Sequence, residues 1–377
     1  MLCKRFVLSY MTACILGALL ITTAAQAALI APFDVAAVRT KAGRADKRAF
    51  SCETPPPAMR DLQFEGIYEK GDKTYSKVDP TAYAAYKKAY QPISAYEQHL
   101  VFTANTYVKS NPARGDIAAC DLDWLEAWAK KDALLGQVNK SGEYIRKWLL
   151  GSIANTWLQI RDEQSLDAEK KKNVLKWIEK LASAVKTDFS RDEDLKSRQN
   201  NHLYWAAWGV SSAAIALDNQ DMFDWAMQKA KFGIDEIQAN GTMPLELDRR
   251  KRAYLYHLFA AMPLFALAEA GYKNGVDLFS ENDHGLDRLA ALNIKNIGHP
   301  ADFARMTGEE QEKTHMGSAS DLGWVEIYYL HHPESTATTA ILEEFRPMKH
   351  SRMGGNITLL YAQKVVGKSK KNSTGNK

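Results

Sequence analysis

The sequence predicts an all-α protein built as a ring of antiparallel helix hairpins. Apolar residues recur at helical spacing through most of the chain between 80 and 335, with no Pro/Gly/Ser linker and no break in composition. The joints between these stretches are short, and short joints make successive helices antiparallel neighbours. Strand signal is confined to Ile357 to Val366, after Gly354-Gly355.

Taken in order, the elements begin with a targeting segment. Lys4 and Arg5 precede a mostly apolar run to Ile21, and Ala25-Gln26-Ala27 has the small-x-small form of a cleavage site, so residues 1–27 read as a secretory signal peptide. A membrane anchor is the competing reading, but the run is short for a span and includes Ser9, Tyr10, Thr12 and Cys14. A lipoprotein site at Cys14 would have Met11 where a branched apolar residue is preferred. Export to the periplasm is therefore expected, with no membrane anchor after cleavage. Residues 28–366 are expected to form one helical unit, and the polar, basic stretch 367–377 a disordered tail.

Cleavage removes Lys4 and Arg5 and takes the net charge from +4 to +2. A nearly neutral protein does not attract polyanions by bulk charge, so any acidic partner requires positive potential gathered in a cleft. No basic stripe, zinc-finger spacing or RNA-binding aromatic signature is present, and no nucleic-acid partner is expected. Cys3 and Cys14 leave with the signal. Cys52 and Cys120 remain, an even pair in an oxidising compartment, and are expected to form a disulfide that fixes the N-terminal segment to the helical body. Two buried free thiols are the alternative.

Pro80 to Asn111 carries Tyr83, Tyr86, Tyr90, Ile93, Tyr96, Leu100 and Thr103 at helical spacing. Further amphipathic stretches lie near 115–135, 142–161, 168–189, 202–217, 221–239, 250–270 and 321–331. Asn111-Pro112, Asn139-Lys140-Ser141-Gly142, Asp218-Asn219-Gln220-Asp221 and Asn240-Gly241 punctuate them.

The densest cluster of chemistry is Asn200-Asn201-His202-Leu203-Tyr204-Trp205-Ala206-Ala207-Trp208. Its bland reading is an Asn cap followed by a core histidine. A second cluster runs from Glu246 to His257. There Arg249 and Tyr256 are seven apart, so a continuous helix would put them on one face with Arg252 between. A solvated surface is the bland reading of that basic run. The apolar stretch from Leu258 to Leu267 instead suggests a helix entering a core with its basic end at the rim.

Together the two clusters resemble the alginate lyases, in particular the periplasmic mannuronate lyases. Ala31-Pro32-Phe33-Asp34, Arg146-Lys147-Trp148 with Leu150-Gly151-Ser152, Phe223-Asp224-Trp225-Ala226, Asn274-Gly275-Val276-Asp277-Leu278 and Arg352-Met353-Gly354-Gly355 fit in the same order. The resemblance implies an (α/α) toroid with a deep cleft and an anionic polysaccharide as partner. It implies that Asn201, His202 and Arg249 surround the substrate carboxylate and that Tyr256 handles the proton. A lid loop at about 62–79 is implied, with Gly66, Ile67 and Tyr68 at its start. These three, with Lys140, Ser141, Lys147, Trp148, Trp205 and Arg352, are implied to bind substrate. No cofactor is implied, no metal is expected since His331-His332 has no coherent ligand spacing around it, and no oligomeric state is assigned.

The chemistry needs these residue types. Eliminating the 4-O-glycosidic bond of a uronate means removing the C5 proton beside a carboxylate, and the enolate-like state requires donors already aimed at that carboxylate. Two departures from the family pattern bear on the substrate. Ile67 stands where relatives carry Lys or Arg before the lid tyrosine, and Lys140-Ser141 where a His is common. Hence a lyase for another polyuronate such as glucuronan, and a non-catalytic polysaccharide-binding or biosynthetic scaffold protein, stay open as alternatives. A glycoside hydrolase would need two facing carboxylates, and the clusters hold Asn, His, Arg and Tyr instead.

Overall fold

The computed structural model describes residues 27–45, 47–312 and 317–363. The expected signal segment, apart from Ala27, and the expected tail lie outside them. The described elements are helices α1 (Val35–Ala42), α2 (Pro80–Lys109), α3 (Gly115–Ala129), α4 (Lys140–Ile160), α5 (Ala168–Phe189), α6 (Asn201–Leu217), α7 (Gln220–Asp235), α8 (Pro244–Leu247), α9 (Ala253–Lys273), α10 (Glu281–Lys295), α11 (Ala301–Thr307), α12 (Trp324–His331), α13 (Thr336–Phe345) and α14 (Ile357–Tyr361). A minimal antiparallel pair, β1 (Lys349–His350) and β2 (Gly355–Asn356), joins the last helices.

The starts follow from local chemistry. The Asp79 carboxylate accepts from the backbone N–H of Thr81 and Ala82 at 2.8 and 3.0 Å, and Pro80 opens α2 where its missing N–H costs nothing. Asn139, Asp167, Asn200 and Asn219 cap α4, α5, α6 and α7 in the same way. The joints are as short as the turn residues imply: Asp218 takes a left-handed conformation to end α6, and Asn219 at once caps α7.

Inner helices α2, α4, α6, α9 and α12 pack side by side in that order, and each pairs with an outer helix, α3, α5, α7, α10 and α13. This is the expected toroid. Its open side, between α12 and α2, is filled by β2, the turn at 351–353 and α14. The core lies between the two layers, with Trp128, Trp177, Trp205, Trp208 and Trp324 fully buried. The stretch Arg250–Lys273 is apolar and long enough to cross a membrane, yet 83% of its apolar window is buried inside the protein, which marks α9 as a core helix. At Gly209 a Cβ would stand 2.9 Å from the Lys147 carbonyl, so the missing side chain lets α6 close on α4 beside the site.

The segment before α2 runs along α3 and into the ring. The expected disulfide joins Cys52 to Cys120 on α3, closing a separation of 68 residues. Beyond it, Trp124 and Trp128 donate to the carbonyls of Glu53 and Pro56 at 2.7 and 3.0 Å. Asn139 then serves two elements. Its Oδ1 accepts from Gly142 N and Phe64 N at 2.9 and 3.3 Å, and its Nδ2 donates to the Phe64 carbonyl at 2.9 Å. Gly142 is needed there, because a Cβ would fall 2.0 Å from the Leu62 carbonyl.

Three expectations are corrected. The strand expected at Ile357 to Val366 is, over its described part, helix α14 followed by coil: the Asn356 side chain accepts from Leu359 N at 2.9 Å and caps a helical turn. Arg249 and Tyr256 do not share a helix face. Arg250 takes φ 52°, a 3₁₀ turn follows, and α9 starts only at Ala253. The pair is brought together by this turn rather than by helical period. Finally, α10 and α13 lay outside the stretches read as amphipathic.

Candidate active site

The first two turns of α4 and the first turns of α6 and α9 converge at one mouth of the ring, under the loop 62–79. Helix N-termini carry partial positive charge, so the backbone itself favours an anion there.

Tyr256, in the first turn of α9, is half-buried. Its hydroxyl lies 2.5 Å from that of Tyr68 in the loop above. Arg249 Nη2 and Arg252 Nη1 both donate to the Tyr68 oxygen, at 3.2 and 3.0 Å. A phenol oxygen has two acceptor positions and one hydrogen. With both acceptor positions taken by guanidinium N–H groups, the Tyr68 hydrogen is left for Tyr256, and Tyr68 is the donor of the short bond. Burial pushes the Tyr68 phenol well up, the neighbouring Tyr256 adds to this, and Arg249 and Arg252 only partly oppose it, so Tyr68 keeps its proton.

The Arg249 guanidinium lies 3.4 Å over the Tyr256 ring. It also holds the loop closed, donating from Nε to the Thr74 carbonyl at 3.0 Å and from Nη2 to the Tyr75 carbonyl at 2.6 Å. The loop is shaped by Asp72, whose carboxylate accepts from the backbone N–H groups of Thr74, Ser76 and Lys77. Burial would raise that carboxyl, but the hydrogen bonds outweigh it and hold it well below the usual range.

On the other side stands His202, half-buried at the start of α6, stacked on Tyr144 with 3.9 Å between ring centres. Its Nδ1 lies 3.0 Å from the Lys147 amine. Nε2 has no partner among the described residues and is not enclosed. Burial first, then the positive charges of Lys147, Arg249, Arg198 and Lys140, push the imidazole well below its ordinary value, so His202 is neutral.

Asn201 is fully buried. Its Nδ2 sits 3.0 Å from each oxygen of the buried Glu246, and its backbone N–H donates to Glu246 Oε1 at 2.7 Å. The amide donor is therefore turned to Glu246, while Oδ1 is buried without a partner. Burial raises the Glu246 carboxyl; Arg249 and the Asn201 donors oppose that rise.

The expected substrate-binding residues divide. Tyr68 and Trp148 line the site, and the Arg352 guanidinium lies 3.8 Å over the Trp148 ring. Lys140 is exposed at the start of α4, near enough to bear on His202. Gly66 is exposed and Ile67 half-buried; the Ile67 carbonyl accepts from Asp79 N at 2.9 Å. Ser141 is half-buried in the first turn of α4. Trp205 and Lys147 depart from expectation as direct contacts. Trp205 is 1% exposed, donates to the Phe259 carbonyl and stacks on His350, so it forms the floor under the site. Lys147 is 0% exposed.

Sequence reasoning gave no role to Tyr144, Glu246 or Arg198. Tyr144 had a signal, standing four residues before Trp148 on the same helix face. Glu246 also had one, as a lone carboxylate in the otherwise apolar turn Pro244-Leu245-Glu246-Leu247. Arg198, which donates to the buried Glu143 carboxylate at 2.7 Å, had none.

A profile of the alginate lyase family matches residues 64–303. An alginate lyase of Pseudomonas putida (strain W619) is 33% identical over 349 residues, covering 90% of this chain and 92% of the relative. One of Azotobacter vinelandii (strain DJ) is 34% identical over 358 residues, covering 92% and 94%. Among solved structures, alginate lyase A1-III from Sphingomonas species A1 is similar in fold, with TM-score 0.75, 23% identity, and coverage of 90% of this chain and 98% of that one. A variant of A1-III complexed with a tetrasaccharide has TM-score 0.77 at 23% identity.

Proposed function

Because the chain belongs to the alginate lyase family, we propose that it depolymerises mannuronate-rich alginate by β-elimination, with Tyr256 as the proton-transfer group. The observation carrying this reading is the Tyr256 phenol held between a guanidinium face and a second phenol that donates to it. Both contacts lie where they can stabilise charge that develops on that oxygen during proton transfer.

In the proposed reaction the uronate carboxylate accepts hydrogen bonds from His202 Nε2–H and from the cationic wall of Arg249 and Arg352. This offsets the charge that develops when C5 is deprotonated. Tyr256, as phenolate, takes the C5 proton. The C5–H electron pair becomes the C4=C5 double bond, the C4–O4 bond breaks, and the proton passes from Tyr256 to O4. Tyr256 returns to its starting form, and the new non-reducing end is a 4,5-unsaturated uronate. Asn201 fixes the entry of α6, and so His202, through Glu246.

Export to the periplasm belongs to the same proposal. The Lys4/Arg5 start and Ala25-Gln26-Ala27 support it, as does a disulfide in the folded chain. Ile67 supplies no charge before the lid tyrosine, which keeps glucuronate polymers among the substrates to be tested.

The test is to incubate the purified protein with mannuronate-rich, guluronate-rich and glucuronate polymers while recording ultraviolet absorbance and reducing ends. Absorbance rising fastest on the mannuronate-rich polymer is expected. Reducing ends without absorbance would indicate hydrolysis, neither signal would indicate a binding protein, and either result refutes the proposal.

A further inference from the structure

Lys147 is a lysine without a carboxylate. Its amine is wholly buried, and the only hydrogen-bond partner recorded for it among the described residues is His202 Nδ1 at 3.0 Å. Around it stand three rings: Trp148, Tyr144 and Phe189, with centres 4.3, 5.3 and 5.6 Å from Nζ. Burying an amine in such a place is costly, and an unbranched apolar side chain would fill the same space. The nearest charges make matters worse: burial first, then Arg352 and Arg198, push the Lys147 amine well below its ordinary value. What the amine supplies is a donor aimed at one edge of one imidazole.

The ring it meets is otherwise fixed. Tyr144 stacks on its face at an interplanar angle of 14°, and Asn200 Oδ1 accepts from His202 N at 3.1 Å, which sets the first turn of α6. Gly209 lets the two helices approach closely enough for the amine to reach. Charged as ammonium, Lys147 has no lone pair and must donate; neutral, it still has two N–H donors. The reverse bond, from Nδ1–H to a neutral amine, would leave a bare Nε2 lone pair facing an anionic ligand.

We infer that Lys147 is a positioning residue: by donating to Nδ1 it holds His202 in the Nε2–H tautomer, making the imidazole a hydrogen-bond donor to the substrate carboxylate and removing it as a base. The inference rests on the lyase reading of the site and adds a consequence for substrate choice. Mannuronate and guluronate differ at C5, so their C5 protons leave from opposite faces of the ring. With His202 committed as a donor, only the epimer whose proton faces Tyr256 has a base.

The experiment is ¹⁵N NMR of the His202 ring in the whole protein, in wild type, Lys147→Met and Lys147→Gln. It is paired with turnover on mannuronate-rich polymer between pH 5 and 9. The groups facing His202 and Lys147, namely Arg249, Arg198, Lys140, Arg352 and Tyr144, stay unchanged throughout. In wild type the proton should reside on Nε2, with Nδ1 as acceptor. In Lys147→Met the Nδ1–H tautomer should become detectable and the imidazole should titrate at higher pH, because a donor that favours the neutral ring is gone. Turnover should fall about 10–100-fold, the range for groups that orient an active side chain, and Lys147→Gln, which keeps a donor, should recover part of it. A wild-type ring protonated on Nδ1 overturns the inference, and this arm needs no variant to fold. An unchanged His202 tautomer and titration in a folded Lys147→Met protein also overturns it, even if turnover drops. Because the NMR arms do not depend on cleavage, failure of the lyase reading would be seen separately, as polymer left intact by wild type.

Discussion

Replacing Tyr68 by Phe removes one oxygen that has three neighbours. Arg249 loses one of its bonds but keeps the Thr74 and Tyr75 carbonyls at 3.0 and 2.6 Å, so the loop should stay docked. Arg252 loses its 3.0 Å bond and keeps its ion pair with Glu312 at 2.8 Å. Tyr256 loses the donor at 2.5 Å. That donor matters most when Tyr256 carries negative charge, and a hydrogen bond to a charged group contributes about 1.5–3 kcal/mol. If the bond is made to the phenolate and persists into the transition state, kcat should fall about 10–150-fold, over and above any change in KM from a lost lid contact to substrate. The assay is the initial rate of ultraviolet absorbance on mannuronate-rich polymer, across substrate concentration. A fall smaller than about threefold, under 1 kcal/mol, would mean that the bond contributes nothing to the reacting state. A loss well beyond about 150-fold and as complete as that of Tyr256→Phe would make Tyr68 itself the proton carrier. Either result refutes the assignment of donor and acceptor.

Tyr256→Phe should lower turnover by about 10²–10⁴-fold, as expected of a general acid–base group, while equilibrium binding of the polymer stays near wild type. Arg249→Ala should damage both turnover and binding, read from the same two measurements, because the guanidinium holds the loop and, in the proposed reaction, faces the substrate carboxylate. Removing the Cys52–Cys120 bond by Cys→Ser at both positions should cost about 4 kcal/mol for a loop of 68 residues in the chain-entropy model, measured by denaturant unfolding. Asp121 carries the pH prediction. Both its oxygens are buried without partners, and burial pushes its carboxyl well up. The folded state therefore binds the proton more tightly than the unfolded chain, so this site's contribution is fully present below the unfolded value and is lost as pH rises towards the folded one. Asp121→Asn should raise the Tm at pH 8 and flatten its decline with pH.

The helices were legible because burial on one side imposes a period: Pro80 announced α2, Asn139 α4 and Asn200 α6, each within two residues of the observed start. Helix α10 was hidden by its own beginning, where Asn282, Asp283 and His284 sit in the left-handed region before Gly285. The Thr-rich start of α13 has low helical propensity, and packing against α12 overrides it. The strand expected at the C-terminus failed for a related reason. Ile357-Thr358 is β-branched, yet the decisive residue is Asn356, whose cap cannot be told from a turn in sequence. In the site, Arg249 and Tyr256 were rightly paired by a wrong construction, since no residue pattern signals the left-handed Arg250. The burial of Lys147 was invisible for a plainer reason: a lysine between Arg146 and Trp148 looks like a surface cation until three rings close around it.

Asn139 gives the protein a mechanical linkage. One side-chain amide ends the free run of the lid segment at Phe64 and begins α4, the helix that carries Lys147 and Trp148. Fraying of that helix and release of the lid's root are therefore one event. The amide protons of Phe64 and Gly142 should exchange with deuterium as a single cooperative unit, although 78 positions of sequence separate them. Heat that loosens the first turn of α4 would free the root of the cover at the same temperature, so inactivation should precede global unfolding.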